Sequence, residues 1–137
     1  MFFGLHERQL DEKGRVALPA SYRDDLGDRC YLVFGDSRCI EVHAAAEFEA
    51  RAHEILDAVK RGEASLARQR ALAHSATLVG VDKQGRITVD EKLREFARIP
   101  LSSRVIVTGN LDRVELWSET VYQEVAERSS GEMASTR

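Results

Sequence analysis

The sequence predicts an α+β protein built from two tandem halves that share one core, with short helices and a helical connector. Three observations carry that expectation. The stretch Leu10-Asp11-Glu12-Lys13-Gly14-Arg15-Val16-Ala17-Leu18 is restated as Val81-Asp82-Lys83-Gln84-Gly85-Arg86-Ile87-Thr88-Val89, with Gly85 lying 71 residues beyond Gly14. Short alternating segments follow each copy in the same order, and an apolar stripe at helical spacing lies between them. In a chain of 137 residues, each half is too small to bury much surface alone, which favours a shared core.

Each copy reads as a tight hairpin. Asp accepts hydrogen bonds from its own turn backbone and Gly supplies a positive φ, so Asp-x-x-Gly is turn chemistry with a mechanism. Strand alternation then points Val16 and Leu18 inward and Arg15 and Ala17 outward, as it does Ile87 and Val89 against Arg86 and Thr88. One outward turn arginine is an ordinary solvated residue. Two at the same place in repeated units are not explained by packing a core.

Residues 5–10 lead into the first turn as a strand. Pro19 suits the first turn of a helix running to Leu26, and Gly27 is placed to end it. Two strands follow, Tyr31-Leu32-Val33-Phe34 and Cys39-Ile40-Glu41-Val42, joined by a turn at residues 35–38. The second copy repeats the programme: a short helix capped by Asp90 and stopping before Ile99-Pro100, then strands at residues 104–107 and 114–117. Gly35 matches Gly109 at a spacing of 74, which places a three-residue insertion after the second short helix.

Between the copies, Phe48, Ala52, Ile55, Leu56 and Val59 fall on one face of a helix from about residue 44 to 61, ended by Gly62. A weaker helix from about Glu63 to His74 carries Arg68 and Arg70. Ser118 caps a last helix with Val121, Tyr122 and Val125 on its apolar side. The expected organisation is a first half at 1–62, a connecting helix at 63–75, a second half at 76–128 and a disordered polar tail at 129–137.

A net charge of −3 and a pI near 5.8 exclude bulk electrostatic coating of nucleic acid or anionic membrane, so any nucleic-acid function needs a local basic face. Cys30 and Cys39 lack CxxC spacing and read as reduced structural thiols. No signal peptide or membrane-length apolar run is present, and the expected location is the cytoplasm. His6, His43, His53 and His74 show no metal-ligand spacing, and no nucleophile, phosphate-loop or dinucleotide motif occurs. The reading therefore assigns no catalytic residue, no metal and no cofactor. Trp117, Tyr31, Phe34 and Phe48 occupy alternating or helical apolar positions and read as core rather than base-stacking platforms.

On the two turn motifs the chain resembles the MraZ family of bacterial transcriptional regulators, within the AbrB/SpoVT swapped-hairpin DNA-binding superfamily. The likeness extends to the opening Met1-Phe2-Phe3-Gly4, to Leu18-Pro19 behind the first motif and to Val114-Glu115-Leu116-Trp117. Asp90 stands where the first copy has Pro19. The resemblance implies two AbrB/SpoVT-like swapped-hairpin β-barrel halves pairing as an internal pseudo-dimer, protomers assembled into a homo-oligomeric ring, and a nucleoid-associated protein. It implies binding of short direct repeats in the double-stranded promoter DNA of the division and cell-wall gene cluster. DNA contacts fall to Arg15 and Arg86 by that resemblance. Lys13 and Lys83 would neutralise phosphates while the arginines read guanine edges; Asp11, Gly14, Asp82 and Gly85 hold the turns. Two alternatives compete: an AbrB-like antitoxin or partner-binding scaffold, and a small enzyme on a β scaffold, the latter lacking any polar constellation.

Overall fold

In the computed structural model, which describes residues 1–135, the two halves exchange strands. The chain runs β1 (Leu5–Gln9), β2 (Arg15–Ala17), α1 (Ala20–Leu26), β3 (Arg29–Phe34), β4 (Ile40–Ala44), α2 (Ala45–Lys60) and α3 (Leu66–Ser75). The second half follows with β5 (Thr77–Gly80), β6 (Arg86–Thr88), α4 (Glu91–Ala97), β7 (Arg104–Gly109), β8 (Val114–Ser118) and α5 (Glu119–Ser135). A six-stranded sheet has the order β1-β7-β8-β4-β3-β5, and β2 pairs with β6 in a separate two-stranded ribbon. Every pairing is antiparallel.

The strands flanking each turn do not form a ladder with each other, which corrects the local hairpin expected from turn chemistry. β1 pairs instead with β7 of the second half, and β5 with β3 of the first. The turn bonds themselves are local and leave the flanking strands free to choose a partner. In the ribbon, Val16 faces Ile87, its own counterpart at the 71-residue offset. Glu41 faces Glu115, its counterpart at 74, in the β4–β8 ladder. A pseudo-twofold axis therefore passes through both pairs.

One main core results. Val16, Leu18, Leu32 and Val42 of the first half pack with Ile87, Val89, Val107 and Leu116 of the second in a single buried cluster. A satellite cluster of Cys39, Ile106, Trp117 and Val121 lies under α5. No helix among the described residues is long and apolar enough to cross a membrane.

The caps follow their local chemistry. Pro19 sits one residue before α1. Asp90 caps α4 by accepting from Leu93 N–H at 2.9 Å, and Ser118 Oγ accepts from Val121 N–H at 3.1 Å. The connector α3 starts later than expected, because Ser65 Oγ accepts from Arg68 N–H at 3.1 Å and fixes the start there. The link from helix to strand is Asp28 alone beyond Gly27, but residues 99–103 beyond Arg98. The insertion is thus four residues rather than three, and the next turn is one residue shorter. The polar tail is also corrected in part: α5 continues through Ser135, since extending an existing helix adds a bond per residue without a new nucleus. Thr136 and Arg137 lie outside the described residues.

Candidate nucleic-acid interface

Each turn is organised by one carboxylate. Asp11 Oδ1 accepts from the backbone N–H of Lys13 and of Arg15, both at 2.9 Å, and its Oδ2 accepts from Arg15 Nε at 2.8 Å. Asp82 does the same for Gln84 N–H, Arg86 N–H and Arg86 Nε, each at 2.9 Å. Gly14 and Gly85 close the turns at φ 79° and 77°, where only glycine sits without strain. These bonds to the charged carboxylate, first among them that from the Arg15 backbone, hold Asp11 down at about 2; Asp82 is lowered by the same contacts.

The arginines are aimed by these bonds. With Nε held by its own aspartate, each guanidinium keeps both Nη groups without a partner among the described residues. Arg15 and Arg86 are about one-third exposed. In the ribbon, Arg15 pairs with Thr88 and Ala17 with Arg86, so all four lie on the outward face while Val16 and Ile87 are buried. The two arginines are diagonal neighbours, about 7–8 Å apart at this kind of position. They come from opposite halves.

The turns lie at opposite ends of the ribbon and are tied across it. Leu18 N–H donates to Gly85 O at 2.9 Å, and Val89 N–H to Gly14 O at 2.8 Å. Lys13 and Lys83 are exposed at the two tips. They are not equivalent: at the 71-residue offset Glu12 corresponds to Lys83 and Lys13 to Gln84. Arg68 and Arg70 lie exposed on α3, outside the ribbon.

Sequence reasoning missed a second duplicated pair. Arg23 on α1 and Arg94 on α4 are related by the same offset, and each donates through Nε, to Leu18 O and Val89 O respectively, at 3.1 Å. The offset itself was the signal available. A buried ionic cluster was also missed: Glu41 Oε1 bonds His43 Nε2 at 2.8 Å and its Oε2 meets Arg113 at 3.1 Å. Burial raises the Glu41 carboxyl, but His43 and Arg113 outweigh it and bring it below its ordinary value. This cluster ties β4 to the β7–β8 turn.

Both thiols are free and buried. Burial pushes Cys30 up to about 12 and raises Cys39 as well. Trp117 and Phe48 are buried, and Tyr31 and Phe34 stack on Phe48 and Phe96 with ring centroids 4.4 and 3.9 Å apart. None of these aromatics lies on the ribbon.

The site thus sits on an α+β protein with an all-antiparallel sheet and a separate β ribbon that carries two carboxylate-oriented arginines. The family model described as "MraZ protein, putative antitoxin-like" matches residues 1–69 and 72–137. The chain is 36% identical over 131 residues to "Transcriptional regulator MraZ" of Cutibacterium acnes, covering 93% of this chain and 88% of the relative. Identity is 39% over 117 residues with the protein of that name from Corynebacterium jeikeium, covering 85% and 80%. With the one from Saccharopolyspora erythraea it is 33% over 137 residues, covering 100% and 94%. The chain belongs to the MraZ family.

Proposed function

We propose that the protein is a sequence-specific DNA-binding transcriptional regulator, as the names of its relatives suggest. The observation that carries the reading is the pair Arg15 and Arg86, outward on one ribbon with Nε engaged and Nη groups without a partner among the described residues. A two-stranded β ribbon fits the major groove, and an arginine fork matches the O6 and N7 of guanine. Gln84, Lys13 and Lys83 at the tips suit phosphates on either side. In this reading 1–62 and 76–128 are AbrB-like swapped-hairpin halves, 63–75 joins them, and the target is short direct repeats in the promoter of the chain's own division and cell-wall cluster.

Assembly into a nucleoid-associated ring belongs to the same reading. β1 is an edge strand of the sheet, and Met1, Phe3, Leu5 and Leu111 beside it are exposed apolar side chains. Such an edge favours burial against another copy. Repeated ribbons along direct repeats would then add weak contacts through effective concentration.

Mobility shift with duplex DNA from upstream of the gene, against a scrambled duplex, tests the reading. Engaging about 6–10 phosphates predicts a loss of roughly 10³–10⁵ in affinity between 50 and 200 mM salt. Light scattering on the same sample should give a species larger than a dimer. Equal affinity for both duplexes, or a flat salt response, defeats the proposal. The second reading, an antitoxin or partner-binding scaffold, is favoured by the description of the family model. It predicts a specific protein complex that Arg15→Ala leaves intact.

A further inference from the structure

Arg23 and Arg94 carry an inference that rests on the DNA-binding reading and goes past it. Each side chain leaves a short helix, α1 or α4, and donates through Nε to the carbonyl at the end of the ribbon strand in its own half, Leu18 O or Val89 O. Those same residues donate their N–H groups across the ribbon, Leu18 to Gly85 O and Val89 to Gly14 O. Each arginine therefore acts one bond away from the opposite half's turn.

The glycines bring the arginines closer still. A β-carbon built on Gly85 would collide with the Arg23 guanidinium, and one on Gly14 would lie 3.5 Å from Arg94 Nε. The planar group of Arg23 thus rests on the Gly85 backbone, in the turn that aims Arg86. Arg94 faces the Gly14 turn, which aims Arg15, with Leu101 beside it at 3.8 Å from the same built β-carbon. Neither Arg23 nor Arg94 forms an ion pair among the described residues, so removing either leaves no orphaned carboxylate to complicate the result.

We propose that Arg23 and Arg94 are positioning residues that act across the pseudo-twofold axis, Arg23 setting the geometry of the Arg86 turn and Arg94 that of the Arg15 turn. Recognition by one half then depends on the helix of the other. The contact of Arg23 with Gly85 is the closer, so the Arg86 turn is the more dependent of the two.

A double-mutant cycle against the upstream duplex tests it, with circular dichroism as fold control. Arg23→Ala should weaken binding about tenfold, within the usual range for coupled neighbours. Combined with Arg86→Ala it should add almost nothing; combined with Arg15→Ala it should add in full. Additivity with Arg86→Ala would mean that Arg23 acts on its own, for example on a phosphate, and would overturn the proposal. So would unchanged binding by Arg23→Ala when Arg86→Ala is defective.

A measurement without DNA separates this from failure of the DNA reading. In Arg23→Ala, amide hydrogen exchange at Asp82, Gln84, Gly85 and Arg86 should accelerate while that at Lys13, Gly14 and Arg15 stays at the parent rate, and Arg94→Ala should show the reverse. Uniform acceleration, or none, overturns the proposal whatever the duplex does. If Arg23→Ala does not fold, Arg23→Gln keeps an N–H donor without the planar fork and is read by the same two criteria.

Discussion

At the 71-residue offset the two turns share Asp, Gly and Arg at the same places, yet Glu12 stands where the second turn has Lys83, and Lys13 where it has Gln84. The backbone geometry is nonetheless alike: three hydrogen bonds to one carboxylate in each, at 2.8–2.9 Å. The comparison separates two roles that one turn alone would confound. Residues whose side chains bond the turn are duplicated, whereas tip residues that face solvent are free to differ. Taking Asp, Glu, Lys and Arg across each turn and its arginine, the first is neutral and the second carries one net positive charge.

The largest expected effect tests the shared part. Arg15→Ala and Arg86→Ala should each keep the fold by circular dichroism and each lose about 1–3 kcal/mol of operator binding per lost bidentate contact. The pseudo-twofold axis through Val16 and Ile87 makes the two losses similar. If only one variant is defective, a single turn reads bases and the second is a structural copy. If both bind like the parent, or both unfold, the arginines belong to the scaffold.

The differing tips should give a smaller effect of unequal size. Lys83→Ala removes the only charge at its tip, whereas Lys13 is offset by its neighbour Glu12, so Lys83→Ala should weaken operator and scrambled DNA more than Lys13→Ala does. Replacing Glu12 by Lys, as in the second turn, should strengthen both duplexes and steepen the log–log salt slope by about 1. Titration at several salt concentrations reads all three variants. Equal losses for the two lysines would mean that the tips lie away from phosphate.

These contrasts also mark how far the sequence could be read. Asp11 and Asp82 are legible as turn residues because their bonds are local and Asp-x-x-Gly chemistry needs nothing distant. Asp90 and Ser118 are legible as caps for the same reason. Strand partnership is not, since the Asp11 turn closes with the same bonds whether β1 pairs with β2 or with β7. The role of Arg23 has no local signal, because the Gly85 backbone it lies against is in the other half. Glu41 and His43 alternate as surface residues would, yet both are buried, and Arg113 reaches Glu41 from the β7–β8 turn. Distant partners are what local pattern cannot carry.

The shared carboxylate predicts a common acid response. The folded value of Asp11, about 2, lies below its ordinary 3.8, so the turn stabilises the fold above about pH 4 and that contribution is lost as pH falls toward 2. Asp82 is shifted in the same direction. Asp11→Asn and Asp82→Asn should each lower the melting temperature at neutral pH, with the gap to the parent closing near pH 2. A gap independent of pH would assign the loss to turn shape rather than to charge.

The smallest expected effect lies where the halves diverge after their short helices. Gly27 ends α1 at φ 79° and ψ −161°, a region essentially restricted to glycine. Its counterpart Arg98 ends α4 at φ 58° and ψ 41°, ordinary left-handed geometry that a side chain tolerates at some cost. The bonds there, Ile99 N–H to Arg94 O at 2.9 Å and Arg98 N–H to Glu95 O at 3.2 Å, form a Schellman close with buried Ile99 behind it. The first half makes no such close, because Gly27 N–H bonds Arg23 O instead and the chain enters β3 after one residue. Arg98→Gly should therefore stabilise by about 0.5–1 kcal/mol, part of the left-handed cost being returned as lost backbone entropy. Gly27→Ala should destabilise by more than that gain, since no compensating entropy matches a forbidden φ and ψ. Urea denaturation of both variants decides it, and a destabilising Arg98→Gly would mean that the Arg98 side chain contributes more than its backbone costs.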